Sequence, residues 1–174
     1  TFTKAWSIAL GDVDSSIAFS NATLYVGTID GRVHALIPAT GASKWLSPFA
    51  TGDGAVKGTV WPSAGRVFVS TDTKVWAIND LGTGTTPTPF FTSPISTVPN
   101  PATPVLLGTR LYVGGGNGTV YEFEVVATPP TPKSVVLGDP SAPFQVGRPT
   151  ADVANGLIYM GPEAGQIYAV AYPF

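Results

Sequence analysis

Side chains able to do acid–base, nucleophilic or metal chemistry are scarce in this chain. His34 is the single histidine and there is no cysteine. Disulfides, thiolate metal sites and covalent c-type haem all require cysteine. A Ser-His-Asp or Cys-His nucleophile set would need His34 to be held beside a nucleophile and an orienting partner, and no spacing around it supplies them. His34 instead occupies a position filled by Trp76, Tyr121 and Tyr168 in three related stretches, so the expectation is an aromatic side chain in a structural slot. Asp30 and Asp80 fall in turns, where Asp bonds locally to backbone. Glu122 and Glu124 alternate along one strand and share a face, expected to be solvated rather than a paired acid–base site. The run from Gly114 to Gly118 joins two strands and precedes no helix, so it reads as a hairpin turn and not a phosphate loop. One further set is of interest. Ten residues before each of four hairpins stand Asp14, Lys57, Pro101 and Arg148. Either the polar three, Asp14, Lys57 and Arg148, ring a channel mouth and contact a small ligand or ion, or they are solvated charges on connecting loops.

The elements that would position these residues come from an internal repeat. Leu24 to Leu36 reads as two strands around Asp30-Gly31, and the pattern returns from Val67, from Leu111 and from Ile158. The steps between these starts are 43, 44 and 47 residues. A fixed period in that range, carried by strands, points to a propeller. Each hairpin is preceded by a short apolar stretch (Ser16–Phe19, Thr59–Trp61, Thr103–Leu106, Thr150–Val153). The first three are followed by a fourth strand: Ser43–Leu46, Phe90–Thr92 and Ser134–Leu137. Eight residues before each hairpin stand the hydroxyls of Ser16, Thr59, Thr103 and Thr150. Their recurrence predicts side chain-to-backbone bonds that tie neighbouring blades.

The predicted architecture is therefore all-β: a single propeller domain over 1–174, with repeats near 13–49, 57–96, 101–139 and 148–174. The fourth repeat lacks an outer strand, and residues 4–10 alternate Trp6, Ile8, Leu10 like a half-buried strand. The expectation is that 4–10 complete the fourth blade and close a four-bladed ring, removing exposed edges. The alternative is half of an eight-bladed ring, completed by a second copy or by further sequence. Tyr25, Phe68, Tyr112 and Tyr159 should then have equivalent surroundings, and Val33, Val75, Val120 and Ile167 should pack between blades.

Composition narrows the function classes. Only 11% of the 174 residues are charged and the formal net charge is -2, which gives no electrostatic case for nucleic acid. No apolar run reaches the roughly 20 residues of a membrane helix. Starting at Thr1 without methionine or signal peptide, the chain reads as a mature or excised piece. Abundant Thr, Ser and Gly favour a secreted, periplasmic or cell-surface setting. Asn21 and Asn117 match the N-glycosylation pattern. The neutral, Pro-rich loops from Gly82 to Pro104 and from Thr128 to Pro143 are candidate docking elements for other chains.

The pattern apolar-Tyr-Val-Gly, Asp-Gly, Val-aromatic-Ala-Leu, followed by Thr40-Gly41 and Lys44-Trp45, resembles the repeats of the quinoprotein-like propeller family. The resemblance spans the chain, with the tail kept only in the first repeat. Enzymes of that family would imply a quinone sandwiched between a Trp and two adjacent cysteines, a calcium held by Glu, Asn and Asp, and a catalytic Asp. No residue here matches those ligands, so no cofactor is expected. The family's noncatalytic branch, which includes an outer-membrane assembly lipoprotein, fits better. The reading is a noncatalytic scaffold or protein-interaction module of a secreted or cell-surface assembly, a filament or its sheath included, with a homo-oligomer among the possible partners. The alternatives are a small-ligand-binding propeller and a fragment of a quinone-dependent dehydrogenase.

Overall fold

A computed structural model describes residues 3–95, 102–116, 118–126, 130–138, 144–161 and 165–174. Within them the chain forms fifteen strands and no helix. The first antiparallel sheet runs in order β1 (Ala18–Ser20), β2 (Thr23–Gly27), β3 (Arg32–Leu36) and β4 (Phe49–Ala50). The second repeats this with β5 (Trp61–Ser63), β6 (Arg66–Ser70), β7 (Lys74–Asn79) and β8 (Thr88–Pro94). The third has β9 (Val105–Leu107), β10 (Arg110–Gly114), β11 (Thr119–Glu124) and β12 (Lys133–Val136). The fourth has three strands, β13 (Thr150–Asp152), β14 (Leu157–Met160) and β15 (Tyr168–Ala171).

The four central hairpins share one register. Val26 lies opposite His34, Val69 opposite Trp76, Val113 opposite Tyr121 and Met160 opposite Tyr168, so His34 does sit in the aromatic slot. Because side chains alternate across a strand, each sheet carries two apolar faces. Tyr25, Val33 and Ala35 of the first sheet pack on Val67, Val69, Trp76 and Ile78 of the second. Phe68, Val75 and Ala77 of the second pack on Leu111, Val113 and Phe123 of the third. Tyr112 and Val120 of the third pack on Ile158 and Met160 of the fourth. Each Val, Leu, Ile, Phe or Met among them contributes about 1.5–3 kcal/mol on burial, so the seams between sheets are where stability resides.

After each outer strand the chain crosses to the inner strand of the next sheet, and the crossing residue is clamped by the sheet it leaves. Val56 lies on Gly27 and Val146 on Gly114; a Cβ at either glycine would come within 2.3 Å of the crossing residue. At the equivalent place Ser70 Oγ donates to the carbonyl of Ala102. The innermost strands then stand side by side, β1 by β5 and β5 by β9. One expected hydroxyl tie forms: Thr59 N–H donates to Thr103 Oγ1 at 2.8 Å, joining the second sheet to the third. In the first sheet the neighbour Ser15, not Ser16, holds the backbone, bonding both the N–H and the carbonyl of Gly27 at 2.9 Å.

Several expectations are corrected. Residues 4–10 form no strand and complete no blade. They lie over the first sheet, where Trp6 covers Gly41 and donates from Nε1 to Pro38 O at 2.8 Å. Among the described residues no backbone hydrogen bond or apolar cluster joins the fourth sheet to the first. In consequence Ile167 is 82% exposed whereas Val33, Val75 and Val120 are fully buried, and Tyr159 is exposed whereas Tyr25, Phe68 and Tyr112 are buried. Ser43–Leu46 is a bend with one bridge from Ser43 to Leu36, because Trp45 turns inward; the outer strand is β4. The start of the first Pro-rich loop is an intramolecular clasp, with Gly84 N–H donating to Lys44 O at 2.7 Å and Leu46 N–H to Thr85 O at 2.9 Å. Residues 96–101, 127–129 and 139–143 of the two loops, with Pro101 and Asn117, lie outside the described residues.

The clamp generates a prediction. Gly114→Ala places a methyl against backbone carbonyls of Val146 and Gly147 that cannot swing away, and should cost about 2–3 kcal/mol. Urea unfolding at neutral pH measures this; a variant within about 0.5 kcal/mol of the parent would refute the clamp.

Candidate functional site at the innermost strands

Buried carboxylates gather charged and polar partners at two seams between sheets, and a single arginine stands in an open cavity at the inner strands. Asp80, just after β7, accepts from Tyr25 Oη at 2.5 Å, Lys44 Nζ at 2.8 Å, Trp45 Nε1 at 2.9 Å and its neighbour Gly82 N–H at 3.1 Å. Burial by itself would raise this carboxyl, but the donors from Lys44, Trp45 and Tyr25 outweigh it and hold its pKa at about 2. Burial, then Asp80 itself, pushes the Tyr25 phenol well up. The arrangement latches the first sheet to the second. It has no free proton acceptor poised near neutrality.

Glu122 is the second. The expectation of a solvated face fails here: its side chain is only 2% exposed. Glu122 and Glu124 do share a face, but the C-terminal residues cover it. Tyr112 Oη donates to Glu122 Oε2 at 2.8 Å, Phe174 N–H to the same oxygen at 3.1 Å, and Arg110 pairs with Oε1 while reaching Glu124 at 3.2 Å. Burial and the Glu122 hydrogen bond push the Tyr112 phenol up. Position 122 is where the other hairpins carry Ala35, Ala77 and Ala169, each opposite the aromatic of the preceding strand. A Glu among alanines was the available signal for this buried cluster. His34 is half-buried, with Nε2 enclosed and without a hydrogen-bond partner, and burial lowers its pKa. It has the environment of an aromatic, not of a base.

The third place is open. A cavity of about 260 Å³ lies between β1 and β5, lined by Ala18, Phe19, Ser20, Thr59, Trp61 and Arg148 among others. Arg148, from the approach to β13, holds its guanidinium 5.2 Å from the Trp61 ring centre, a cation–π contact. Phe19 is 67% exposed at its edge. Of the three charged residues singled out by spacing, Arg148 is in this cavity. Exposed Asp14 and half-exposed Lys57 sit on the connections leading to the same inner strands, outside its lining. Spacing alone missed Phe19 and Trp61, since each reads as one more apolar strand residue.

These residues do not fit the quinone and calcium of the family's enzymes. The sandwich lacks its cysteines, and among the described residues no three His, Cys, Asp or Glu side chains gather as a metal site.

Sheets stacked face to face, inner strands abreast and each crossing clamped by the sheet before it, define a β-propeller arc. A sequence profile described as outer membrane protein assembly factor BamB matches residues 3–125. The chain belongs to that family. A search of curated proteins gave no significant match. Among solved structures, BamB from Moraxella catarrhalis superposes with a TM-score of 0.75 at 19% identity, covering 95% of this chain and 49% of that one. The C-terminal WD40 domain of Sif2 gives 0.74 at 15% identity, with 96% and 48% covered. The computationally designed Ika4 protein gives 0.71 at 12% identity, with 99% and 100% covered. The chain thus spans about half the length of the first two. All three are likenesses of fold.

The Asp80 latch has a pH signature. Its folded-state pKa of about 2 lies below the ordinary 3.8, so the stabilisation is full above about pH 4 and is lost as pH falls through about 2. The contribution at neutral pH is about 2 kcal/mol. Urea midpoints should drop across that window in the parent, and Asp80→Asn, already destabilised at pH 7, should show a shallower drop. Parallel curves for the two proteins would disprove the latch.

Proposed function

We propose that this chain is a noncatalytic propeller module that binds another polypeptide at its innermost strands, within a multi-protein assembly of the cell envelope or cell surface. The observation that carries the reading is the cavity framed by Phe19, Trp61 and Arg148. Trp, aromatic and Arg side chains are the anchors over-represented where binding energy concentrates. A guanidinium held over an indole, with an exposed ring beside it, suits a segment that offers a carboxylate next to an apolar side chain. Lys57, on the connection ahead of β5, adds positive potential on the approach, and Asp14 sets a limit to it. The family profile supports the setting, since its description is that of an assembly factor of outer membrane proteins. A filament or its sheath is one assembly of this kind.

An acetylated, amidated Glu-Phe-Glu peptide titrated into isotope-labelled protein tests the reading. Shifts should centre on Phe19, the Trp61 indole and Arg148. Phe19→Ala and Arg148→Ala should each weaken binding about tenfold, equivalent to about 1.4 kcal/mol. Equal affinity for Gln-Phe-Gln, or shifts centred elsewhere, would argue against it.

A further inference from the structure

The inner cavity is bordered by two sheet edges whose backbones offer different things. β1 and β5 each pair on one side only, with β2 and β6, and each turns its other edge to the cavity. Asn21 and Ala22, both at positive φ, form a two-residue turn with Ser20 opposite Thr23 across it. The pair flanking such a turn exchanges both backbone hydrogen bonds, and the next pair along exchanges none. That next pair is Phe19 with Leu24. Phe19 therefore points its N–H and C=O away from β2, and no backbone bond joins it to another described strand.

β5 repeats this geometry without the donor. Ala64 and Gly65 make the same turn, Ser63 lies opposite Arg66, and the residue facing outward is Pro62. Proline has no N–H, and its place on an edge is a means of keeping that edge from pairing. One side of the cavity is thus blunted and the other is open. The outward donor and acceptor at Phe19 belong to the backbone, so they are independent of what covers its ring. Arg148 adds charge: it pairs with no described carboxylate and holds its guanidinium by the Trp61 ring.

We propose that the polypeptide bound here enters as an extended acidic segment that adds a strand to the free edge of β1. Its backbone meets the N–H and C=O of Phe19 while one of its carboxylates reaches Arg148. The inference rests on the role proposed for the cavity and specifies the mode of binding. Strand addition of this kind takes affinity from main-chain bonds and selectivity from the side chains beside them. β1 is only three residues long, so the ladder is short and the Arg148 contact sets the preference for acidic segments.

Two measurements with the acetylated, amidated Glu-Phe-Glu peptide test the pairing. At saturation the Phe19 amide should exchange with solvent at least tenfold more slowly. 3-Phenylpropionate, which has the carboxylate and the ring but no peptide backbone, should leave that exchange unchanged. Phe19→Ala and Phe19→Pro both remove the ring, but only the second removes the outward N–H, and Pro62 shows that the equivalent place in β5 accepts proline. Phe19→Pro should therefore bind the peptide about fivefold more weakly than Phe19→Ala. Unchanged Phe19 exchange in the peptide complex, equal slowing by 3-phenylpropionate, or equal peptide affinity of the two variants would each overturn strand addition. In those cases shifts at Trp61 and Arg148 would still stand for the cavity itself, whereas no binding of the peptide at all would remove both.

Discussion

Every sheet in this protein is apolar on both faces, and that constraint governs the rest. A sheet with one wet face can stop; a sheet with two dry faces must be covered twice. The second and third sheets meet the requirement by stacking on both faces, and each stack places the crossing segment and the next inner strand. Stability is therefore a matter of neighbours, as in other repeat architectures. The N-terminal segment shows what happens at the boundary. Trp6 and its neighbours keep Val26 and Leu36 dry, yet they leave Ile8, Val13 and Ile17 exposed because one short segment cannot replace a whole blade.

Two carboxylates are buried at these seams. Asp80 and Glu122 are withdrawn from water and each accepts from several donors, Lys44 and Arg110 among them. Burying charge costs more than burying a methyl group, and such networks are no general route to stability. What they add is geometry. An apolar seam of Val, Ile and Phe tolerates sliding by a residue, whereas Asp80 accepts Tyr25, Lys44 and Trp45 together in only one placement of the second sheet on the first. Each seam cluster also uses the phenol of the same repeat position, Tyr25 in one and Tyr112 in the other.

The hairpins were legible in the sequence because period-2 alternation and Asp-Gly or Asn-Gly turns are local signals. That His34 fills the slot of Trp76, Tyr121 and Tyr168 followed from aligning the repeats alone. Ring closure was not legible. Alternation in residues 4–10 predicts a strand, but a strand needs an edge to pair with, and among the described residues no backbone hydrogen bond joins this segment to β15. The bend at Ser43–Leu46 was hidden for a related reason: Trp45 is drawn inward by Asp80, a residue thirty-five positions away. Glu122 was misread although its signal was present, because alternation reports which residues share a face and not what covers that face. Here the cover is Tyr172 and Phe174, with rings 5.9 and 5.7 Å from that of Tyr112.

The inner cavity draws its lining from several sheets at once. Phe19 comes from the first sheet, Trp61 from the second and Arg148 from the approach to the fourth, so no single repeat contains the site. Each contributor sits on or just before an innermost strand, where the seams fix its backbone. The positions of cation and rings are thus set by packing between sheets. The same dependence makes the site a reporter of the arc. A change that shifts the third sheet moves Arg148 relative to Trp61 without touching either residue, because the third sheet is the spacer between them.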